Sequence, residues 1–160
     1  MTHLGVGVQV RNVIERLVRQ GTTVSASDGL RDQIFPIAIP PPLGDTLGVW
    51  VRRENAQRTI EIGLGYGVSA LYICEALVAN GHPGARHLAI DPYQTNGPDG
   101  RGFASCGLRH LEEAGLISII EHAAQESQIA LPRLLAEERT FDLAFVDGNH
   151  RFERVFLDLY

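Results

Sequence analysis

EIGLGYGVSA, residues 61–70, is the stretch from which the fold of this chain follows. The short run Arg58–Ile60 before it predicts the start of a buried strand, and Ala70–Val78 after it predicts a helix. Three glycines at alternate positions between them permit a sharp turn and the close approach of another group, because glycine has no Cβ. The helix that follows directs free N–H groups and its positive dipole end at that turn. The stretch therefore predicts a ligand-binding unit of strand, loop and helix.

From residue 58 onward, strands and helices alternate along the chain. The predicted strands begin at Arg58 and then cover 86–91, 116–120 and 141–146, and the predicted helices cover 70–78, 103–114 and 131–138. This alternation is typical of a Rossmann-like α/β fold, a parallel sheet with helices on both faces and right-handed crossovers. Ligands of such sheets bind at the carboxyl ends of the strands. Those ends are Gly63, Asp91, Ala123 with its neighbours, and Asp147.

Residues 1–57 form a predicted helical and extended segment in front of the α/β domain of residues 58–160. Apolar residues recur at helical spacing from Val10 to Val18, which predicts a first helix that ends near Gly21. Residues 21–44 contain three successive prolines and predict an extended connector. A second helix is predicted from Asp45 to about Asn55, with Leu47, Trp50 and Val51 as its apolar stripe.

The last part of the chain, residues 152–160, has an apolar helical face that is cut off without a cap or turn. The fourth strand before it would lie near the edge of the sheet, and an uncovered apolar edge favours aggregation. We therefore expect a fold that is truncated after the fourth strand and the following helix, with the C-terminal strands absent. The alternative is that a partner subunit, as in a homodimer, covers the edge.

Composition limits the classes of partner. The 160 residues suffice for one domain, and the formal net charge is −5. All fourteen basic residues are scattered arginines, which argues against nucleic acid as a partner and excludes a lysine base. No apolar run reaches the ~20 residues of a membrane span, and the N-terminus lacks a signal pattern. The two cysteines match no metal or redox spacing, so we expect them to be buried in a cytoplasmic protein. Four histidines without ligand spacing are predicted as surface or loop residues: His82, His87, His110 and His122.

The glycine spacing distinguishes between two classes of nucleotide-containing ligand. A dinucleotide fingerprint is G-x-G-x-x-G, whereas here Val68 occupies the position of the third glycine. Glu61 precedes the first glycine by two residues, and Asp91 follows Gly67 by 24 residues at the end of the next strand. A carboxylate at that place can accept both hydroxyls of a ribose. This pattern of glycines and acids resembles that of class I S-adenosylmethionine-dependent methyltransferases.

Longer phrases narrow the resemblance to one branch. The glycine loop is similar to that of the catechol-type small-molecule O-methyltransferases. The phrases AIDPYQ at 89–94 and FVDGNHRFE at 145–153, with Asp158 and Leu159 later, resemble a bacterial group related to those enzymes. The resemblance covers about residues 43–160. It implies transfer of a methyl group from S-adenosylmethionine to a hydroxyl of a small-molecule methyl acceptor.

The resemblance also implies roles for individual residues. Ser69 would hold the methionine carboxylate at the helix N-terminus, and Asp91 would bind the ribose. Ala124 and Gln125 would contact adenine. Asp147 would lie beside the methionine end and, in the metal-dependent branch, would be a magnesium ligand whose partner ligands lie after residue 160. The methionine pocket would be shaped by Glu61, Gly63, Gly65 and Gly67.

The chain departs from the catechol-type enzymes at the position of the general base. Those enzymes carry a lysine three residues after the aspartate, and here that position is His150. An imidazole accepts a proton near neutral pH, so His150 is the candidate base. Two alternatives remain at this point: a cofactor-binding module that is inactive or incomplete, and a nucleotide-cofactor oxidoreductase.

Overall fold

The computed structural model describes residues 3–25 and 28–159, and within these ranges the chain forms six helices and six strands. Ala26 and Ser27 of the predicted connector, and Tyr160 of the predicted apolar face, lie outside the described residues. The helices are α1 (His3–Gln20), α2 (Pro41–Arg53), α3 (Val68–Asn80), α4 (Cys106–Glu113), α5 (Ser127–Ala136) and α6 (Phe152–Leu159). The strands are β1 (Thr22–Val24), β2 (Arg31–Gln33), β3 (Arg58–Ile62), β4 (Arg86–Ile90), β5 (Ile120–Ala123) and β6 (Leu143–Val146).

Four of the strands form a parallel sheet in the order β5-β4-β3-β6, which confirms the predicted Rossmann-like α/β fold. Side chains alternate between the two faces of the sheet. Ile60 and Ile62 of β3 pack with Ala130 and Leu134 of α5 on one face, whereas Ala89 of β4 belongs to the core on the α3 face. The sheet therefore lies between two layers of helices, and β6 lies at its edge as predicted.

Helix α3 is the centre of the larger core. Most of its residues are buried, and it packs against the sheet on one side and against α1 and α2 on the other. The contact with α2 is close, because a Cβ added to Gly44 would lie 2.3 Å from the ring of Tyr72. Leu17 of α1 and Val51 of α2 share one core cluster with Leu71 of α3. The predicted N-terminal segment thus contributes directly to the core under the glycine loop.

The N-terminal segment is more regular than its composition predicted. Strands β1 and β2 pair as an antiparallel hairpin within the stretch expected to be an extended connector. Helix α2 begins at Pro41 rather than at Asp45, and prolines occupy its first two positions. A helix accepts proline there because the N–H groups of the first turn have no intrahelical partner. Trp50, expected in the buried stripe, is 45% exposed and contacts the guanidinium of Arg53.

Three later boundaries also differ from the prediction. Strand β5 covers Ile120–Ala123, because residues 117–119 form a turn. Its polar side chains have partners: Glu121 pairs with Arg139, and His122 bonds to the carbonyl of Asp91. Helix α4 begins at Cys106, because Ala104 and Ser105 have positive φ. Helix α5 begins at Ser127 and includes Pro132.

Asp142 connects two strands at the edge of the sheet that lies opposite the carboxyl ends. Its Oδ2 accepts hydrogen bonds from the backbone N–H groups of Gln57 and Arg58, both at 2.8 Å. These two bonds hold the pKa of the Asp142 carboxyl below its usual value.

None of the described helices has the length and continuous apolarity that a bilayer crossing needs.

Candidate functional site

A cleft of about 540 Å³ opens at the carboxyl ends of the parallel strands, where the topology predicts a ligand. Its volume falls within the range of small-molecule sites. The walls come from the glycine loop with the start of α3, from the ends of β4 and β6, from the start of α5, from α6, and from the N-terminal segment. The predicted site residues that line it are Gly63, Gly65, Ser69, Asp91, Asp147 and His150.

The glycine loop requires glycine for two separate reasons. At Gly63, φ is +94°, and an added Cβ would lie 2.3 Å from the carbonyl oxygen of Asp147. At Gly67, φ is +78°, and an added Cβ would lie 2.9 Å from the carbonyl oxygen of Gly107 in α4. The missing Cβ at Gly63 lets the end of β3 lie close to the end of β6. The missing Cβ at Gly67 lets the loop lie close to α4. Gly67 therefore shapes the loop from behind, outside the lining of the cleft.

The first turn of α3 is free to bind an anion. Its N-cap residue is Gly67, which has no side chain to bond the N–H groups of that turn. Val68 and Ser69 of this turn both line the cleft. An uncapped helix N-terminus with its positive dipole end at a cleft favours a carboxylate or phosphate.

Asp91 connects β4 to the glycine loop. The residue is 3% exposed, and its Oδ2 accepts hydrogen bonds from the backbone N–H of Gly65 at 2.8 Å and from Nε2 of Gln94 at 2.9 Å. Its Oδ1 accepts from the N–H of Tyr93 at 2.7 Å. Two carboxylate oxygens offer about four acceptor positions, so Asp91 keeps capacity for a hydroxyl in the cleft.

Gln94 supports the site from behind the cleft lining, a role that sequence reasoning did not predict. It is buried, and its Nε2 also donates to the carbonyl of Gly65 at 2.8 Å, so one amide connects the loop with the Asp91 carboxylate. The Oε1 of Gln94 has no hydrogen-bond partner among the described residues. The motif DPYQ contributed to the family resemblance, but a glutamine in a polar loop gives no indication that its side chain is buried.

A second buried group lies beneath the loop, on the α3 face of the sheet. Glu61 accepts a hydrogen bond from the hydroxyl of Ser69 at 2.7 Å, and His87 lies on its other side. The prediction that His87 and His110 are surface or loop residues was wrong, because both are fully enclosed in the core. Their polar atoms are matched by partners from distant parts of the chain, which spacing along the sequence does not reveal. His82 and His122 are only partly exposed.

His110 ties the glycine loop to α4 and to β1. Its Nδ1 lies 2.9 Å from the carbonyl oxygen of Tyr66, and its Nε2 lies 2.9 Å from Oγ1 of Thr23. Burial lowers the pKa of His110, so the ring is neutral at neutral pH and each nitrogen serves one hydrogen bond. This arrangement fixes the loop from the side opposite the cleft.

Asp147 and His150 lie together where β6 ends. The Nε2 of His150 is 3.1 Å from Oδ1 of Asp147, and both residues line the cleft. The His150 side chain is 81% exposed, whereas that of Asp147 is 29% exposed. An exposed imidazole next to a carboxylate can take a proton from a ligand in the cleft.

The predicted adenine contacts, Ala124 and Gln125, do not line the cleft, whereas their neighbours Glu126 and Ser127 do. Ala124 is exposed, and Gln125 is half-buried with its Oε1 unpartnered among the described residues. Ser127 donates to Asp158 of α6, which holds the start of α5 in place. The adenine role of Ala124 and Gln125 stays a prediction.

An apolar wall faces the glycine loop. It is contributed by the segment Pro36–Ile39 and by Tyr93 and Phe103, and Phe103 packs edge-on against Tyr66 with the ring centroids 5.2 Å apart. Arg101 holds the loop between Tyr93 and Phe103 against the N-terminal hairpin through ion pairs to Asp28 and Asp32. The cleft thus combines a polar floor with an apolar wall, which is typical of sites for small organic ligands.

The donor set at Asp147 does not form a metal site within the described ranges. No group of three or more His, Cys, Asp or Glu side chains converges there or elsewhere in those ranges. Magnesium prefers six oxygen ligands in octahedral geometry, and Asp147 with the imidazole of His150 does not supply them. The role of Asp147 as a magnesium ligand stays a prediction, and no chemical step is derived from it.

Comparison with known proteins places this architecture among methyl-transfer enzymes. The model of the family described as "Methyltransferase domain" matches residues 60–160. Tricin synthase 1 of Oryza sativa subsp. japonica is 34% identical over 109 residues, which are 64% of this chain and 39% of that protein. A probable caffeoyl-CoA O-methyltransferase of Arabidopsis thaliana is 30% identical over 116 residues, 71% of this chain and 45% of that protein. The chain spans about half the length of the curated relatives that it matches.

Solved structures share the fold at lower identity. An O-methyltransferase from Bacillus cereus, in complex with S-adenosylhomocysteine, superposes with a TM-score of 0.65 at 18% identity, covering 92% of this chain and 60% of that one. The O-methyltransferase TomG from Streptomyces achromogenes, in complex with S-adenosylmethionine, gives a TM-score of 0.60 at 23% identity, covering 94% and 59%. These likenesses concern the arrangement of the strands and helices.

Proposed function

This chain belongs to the Methyltransferase domain family, and from that membership we propose that it binds S-adenosylmethionine and transfers its methyl group to a hydroxyl of a small molecule. The observation that carries the proposal is the pairing of two features at one cleft. These are the buried Asp91 carboxylate bonded to the glycine loop, and the uncapped first turn of α3. Together they match a ligand that has a ribose at one end and an amino-acid carboxylate at the other.

The described residues fit this cofactor at three points. Asp91 would accept a hydrogen bond from a ribose hydroxyl, and the backbone N–H groups of the first turn of α3, that of Ser69 included, would bind the methionine carboxylate. Gly63 and Gly65 would let the cofactor approach the backbone. Glu126 and Ser127 line the part of the cleft that would face the adenine, and the contacts of Ala124 and Gln125 with adenine stay an expectation.

The cofactor, when bound, supplies an electrophilic methyl group, and the chain supplies position and proton transfer. Positioning alone accounts for a large part of the rate when an acceptor oxygen is held in line with a reactive carbon. The apolar wall formed by Pro36–Ile39, Tyr93 and Phe103 would exclude water from the acceptor. His150 would take the hydroxyl proton on Nδ1, while its Nε2–H donates to Asp147, which would orient the imidazole and stabilise its charged form.

Titration calorimetry with S-adenosylhomocysteine and with NAD tests the proposed cofactor. We expect S-adenosylhomocysteine to bind with one-to-one stoichiometry and NAD to give no heat, because Val68 replaces the third dinucleotide glycine. Binding of NAD without any response to S-adenosylhomocysteine would support the oxidoreductase alternative. Cofactor binding without methyl transfer to any hydroxyl compound would support the alternative of an inactive or incomplete module.

Replacement of His150 by Ala is expected to lower methyl transfer about 100-fold, the usual contribution of a positioned general base, while cofactor affinity stays unchanged. Transfer of the labelled methyl group to 3,4-dihydroxybenzoate measures the rate, and calorimetry with S-adenosylhomocysteine measures the affinity. His82→Ala is the matched control, because His82 bonds Asn55 and does not line the cleft. Equal rates for His150→Ala and the wild type would remove His150 from the mechanism.

Further assignments belong to the proposal as expectations. The acceptor is a small molecule rather than nucleic acid, because the basic residues are scattered. A cytoplasmic location is expected on the grounds given above, and a homodimer that covers the β6 edge stays the alternative to a truncated fold. The role of Asp147 as a magnesium ligand stays an expectation, and methyl-transfer assays with and without added magnesium examine it.

A further inference from the structure

Three polar side chains meet on the α3 face of the sheet, below the glycine loop. Thr59 of β3 and His87 of β4 are directly paired in the parallel register, and Glu61 follows Thr59 by two residues on the same face. Glu61 and His87 are both fully buried. Ser69, at the start of α3, completes the group and is the member that lines the cleft.

The four residues form a continuous chain of contacts. The hydroxyl of Ser69 donates to Oε2 of Glu61 at 2.7 Å, and Nε2 of His87 lies 3.2 Å from Oε1 of Glu61. Nδ1 of His87 lies 2.8 Å from Oγ1 of Thr59. Neither Oε1 of Glu61 nor Nε2 of His87 has an aligned hydrogen bond to a described residue. The short contact between these two atoms therefore offsets the free-energy cost of burying them.

The contact with His87 determines which oxygen of Glu61 accepts the hydrogen bond from Ser69. Oε1 of Glu61 faces Nε2 of His87, so Oε2 is the oxygen left for the Ser69 hydroxyl, which is oriented as a donor toward it. Without His87, Oε1 would be buried with no partner, and the Ser69 hydroxyl could turn toward either oxygen.

Cys74 of α3 is a further titratable group near Glu61. Burial in the core, and in second place the charge of Glu61, raise the pKa of the Cys74 thiol well above its usual value. The thiol therefore stays protonated and does not replace His87 as the partner of Glu61. The orientation of Ser69 depends on the imidazole.

We propose that His87 is a positioning residue of the cofactor site, which acts through Glu61 to hold the Ser69 hydroxyl as an acceptor for the ammonium group at the amino-acid end of the cofactor. The inference rests on the proposed function, because it presumes that the amino-acid end lies at the start of α3. It assigns to His87 an effect on only one end of the ligand. Asp91 and Gln94, at the other end, have no contact with this chain of residues among their hydrogen bonds.

Two ligands separate the ends of the cofactor. S-adenosylhomocysteine has both the adenosine and the amino acid, whereas 5′-methylthioadenosine has the adenosine and the thioether but lacks the amino acid. We expect His87→Leu to weaken binding of S-adenosylhomocysteine about 10-fold and to change that of 5′-methylthioadenosine less than 2-fold. His87→Gln, which retains an N–H donor near the position of Nε2, should restore the affinity to within about 3-fold of the wild type.

A comparison variant and a second probe complete the test. Gln94→Leu acts at the ribose end and should weaken both ligands to the same degree. If His87→Leu does not fold, Thr59→Val removes the hydroxyl partner of Nδ1 with little change of shape and should weaken S-adenosylhomocysteine alone. Equal losses for both ligands in the His87 or Thr59 variants, or no loss, would overturn the inference. Failure of the wild type to bind either ligand would instead refute the proposed function, on which the inference depends.

Discussion

Replacement of Gly63 by Ala is expected to lower the free energy of unfolding by about 3 kcal/mol or more and the melting temperature by about 10 °C. Two causes act together at this position. The backbone has a φ of +94°, which residues with a Cβ rarely adopt, and the new Cβ would lie 2.3 Å from the carbonyl oxygen of Asp147. Either the loop or the end of β6 must move, so the cleft would be lost together with stability.

Two matched variants separate the causes of this loss. Gly81 also has a positive φ, of +74°, but no atom lies within 4 Å of its added Cβ, so Gly81→Ala measures backbone strain alone, about 1 kcal/mol. Gly84 has neither a positive φ nor a close neighbour, so Gly84→Ala should be nearly neutral. Urea unfolding of the three variants measures the free energies. Similar losses for Gly63→Ala and Gly81→Ala would contradict the close approach of β6.

The second large effect is expected for Asp91→Asn, which should raise the Kd for S-adenosylhomocysteine about 100-fold. The carboxylate accepts three hydrogen bonds, from two backbone N–H groups and from Gln94. An amide nitrogen in place of one oxygen would face these donors and leave at least one of them unpaired. The loss of a buried charged acceptor costs about 1.5–3 kcal/mol, and 100-fold corresponds to about 2.8 kcal/mol.

Asp142→Asn is the control for this variant. Asp142 also accepts two backbone N–H groups, but at the opposite edge of the sheet. We expect its replacement to lower stability without a change of cofactor affinity. Calorimetric titration of both variants with S-adenosylhomocysteine makes the comparison. A similar loss of affinity in both variants would show that Asp91 acts through stability rather than through the cleft.

The sequence allowed prediction of those features that local chemistry determines. The glycines between strand and helix predicted the loop, because few backbone conformations connect these elements so tightly. Apolar runs bounded by turn residues predicted β3 and β4 and the edge position of β6. The carboxylates Asp91 and Asp147 were placed at the cleft because parallel strands end at one edge.

Features that depend on distant partners could not be predicted in this way. The apolar run 116–120 resembles a strand, but the hydrogen bonds to β4 select Ile120–Ala123, whose polar side chains are satisfied by Arg139 and by the carbonyl of Asp91. The burial of His87 depends on Thr59 and Glu61, and the role of Gln94 depends on the Gly65 carbonyl. Periodicity along the chain carries no information on such pairs.

The two free cysteines allow transient local opening of the chain to be measured by alkylation. Cys74 and Cys106 are both buried, and burial raises the pKa of both thiols. A thiol-specific alkylating reagent reacts with the exposed thiolate, so in native buffer it modifies only those molecules in which the helix carrying the cysteine has transiently opened. Cys74 lies in the middle of α3 and Cys106 at the start of α4. The ratio of their alkylation rates therefore compares opening of α3 in the core with opening of α4 behind the glycine loop.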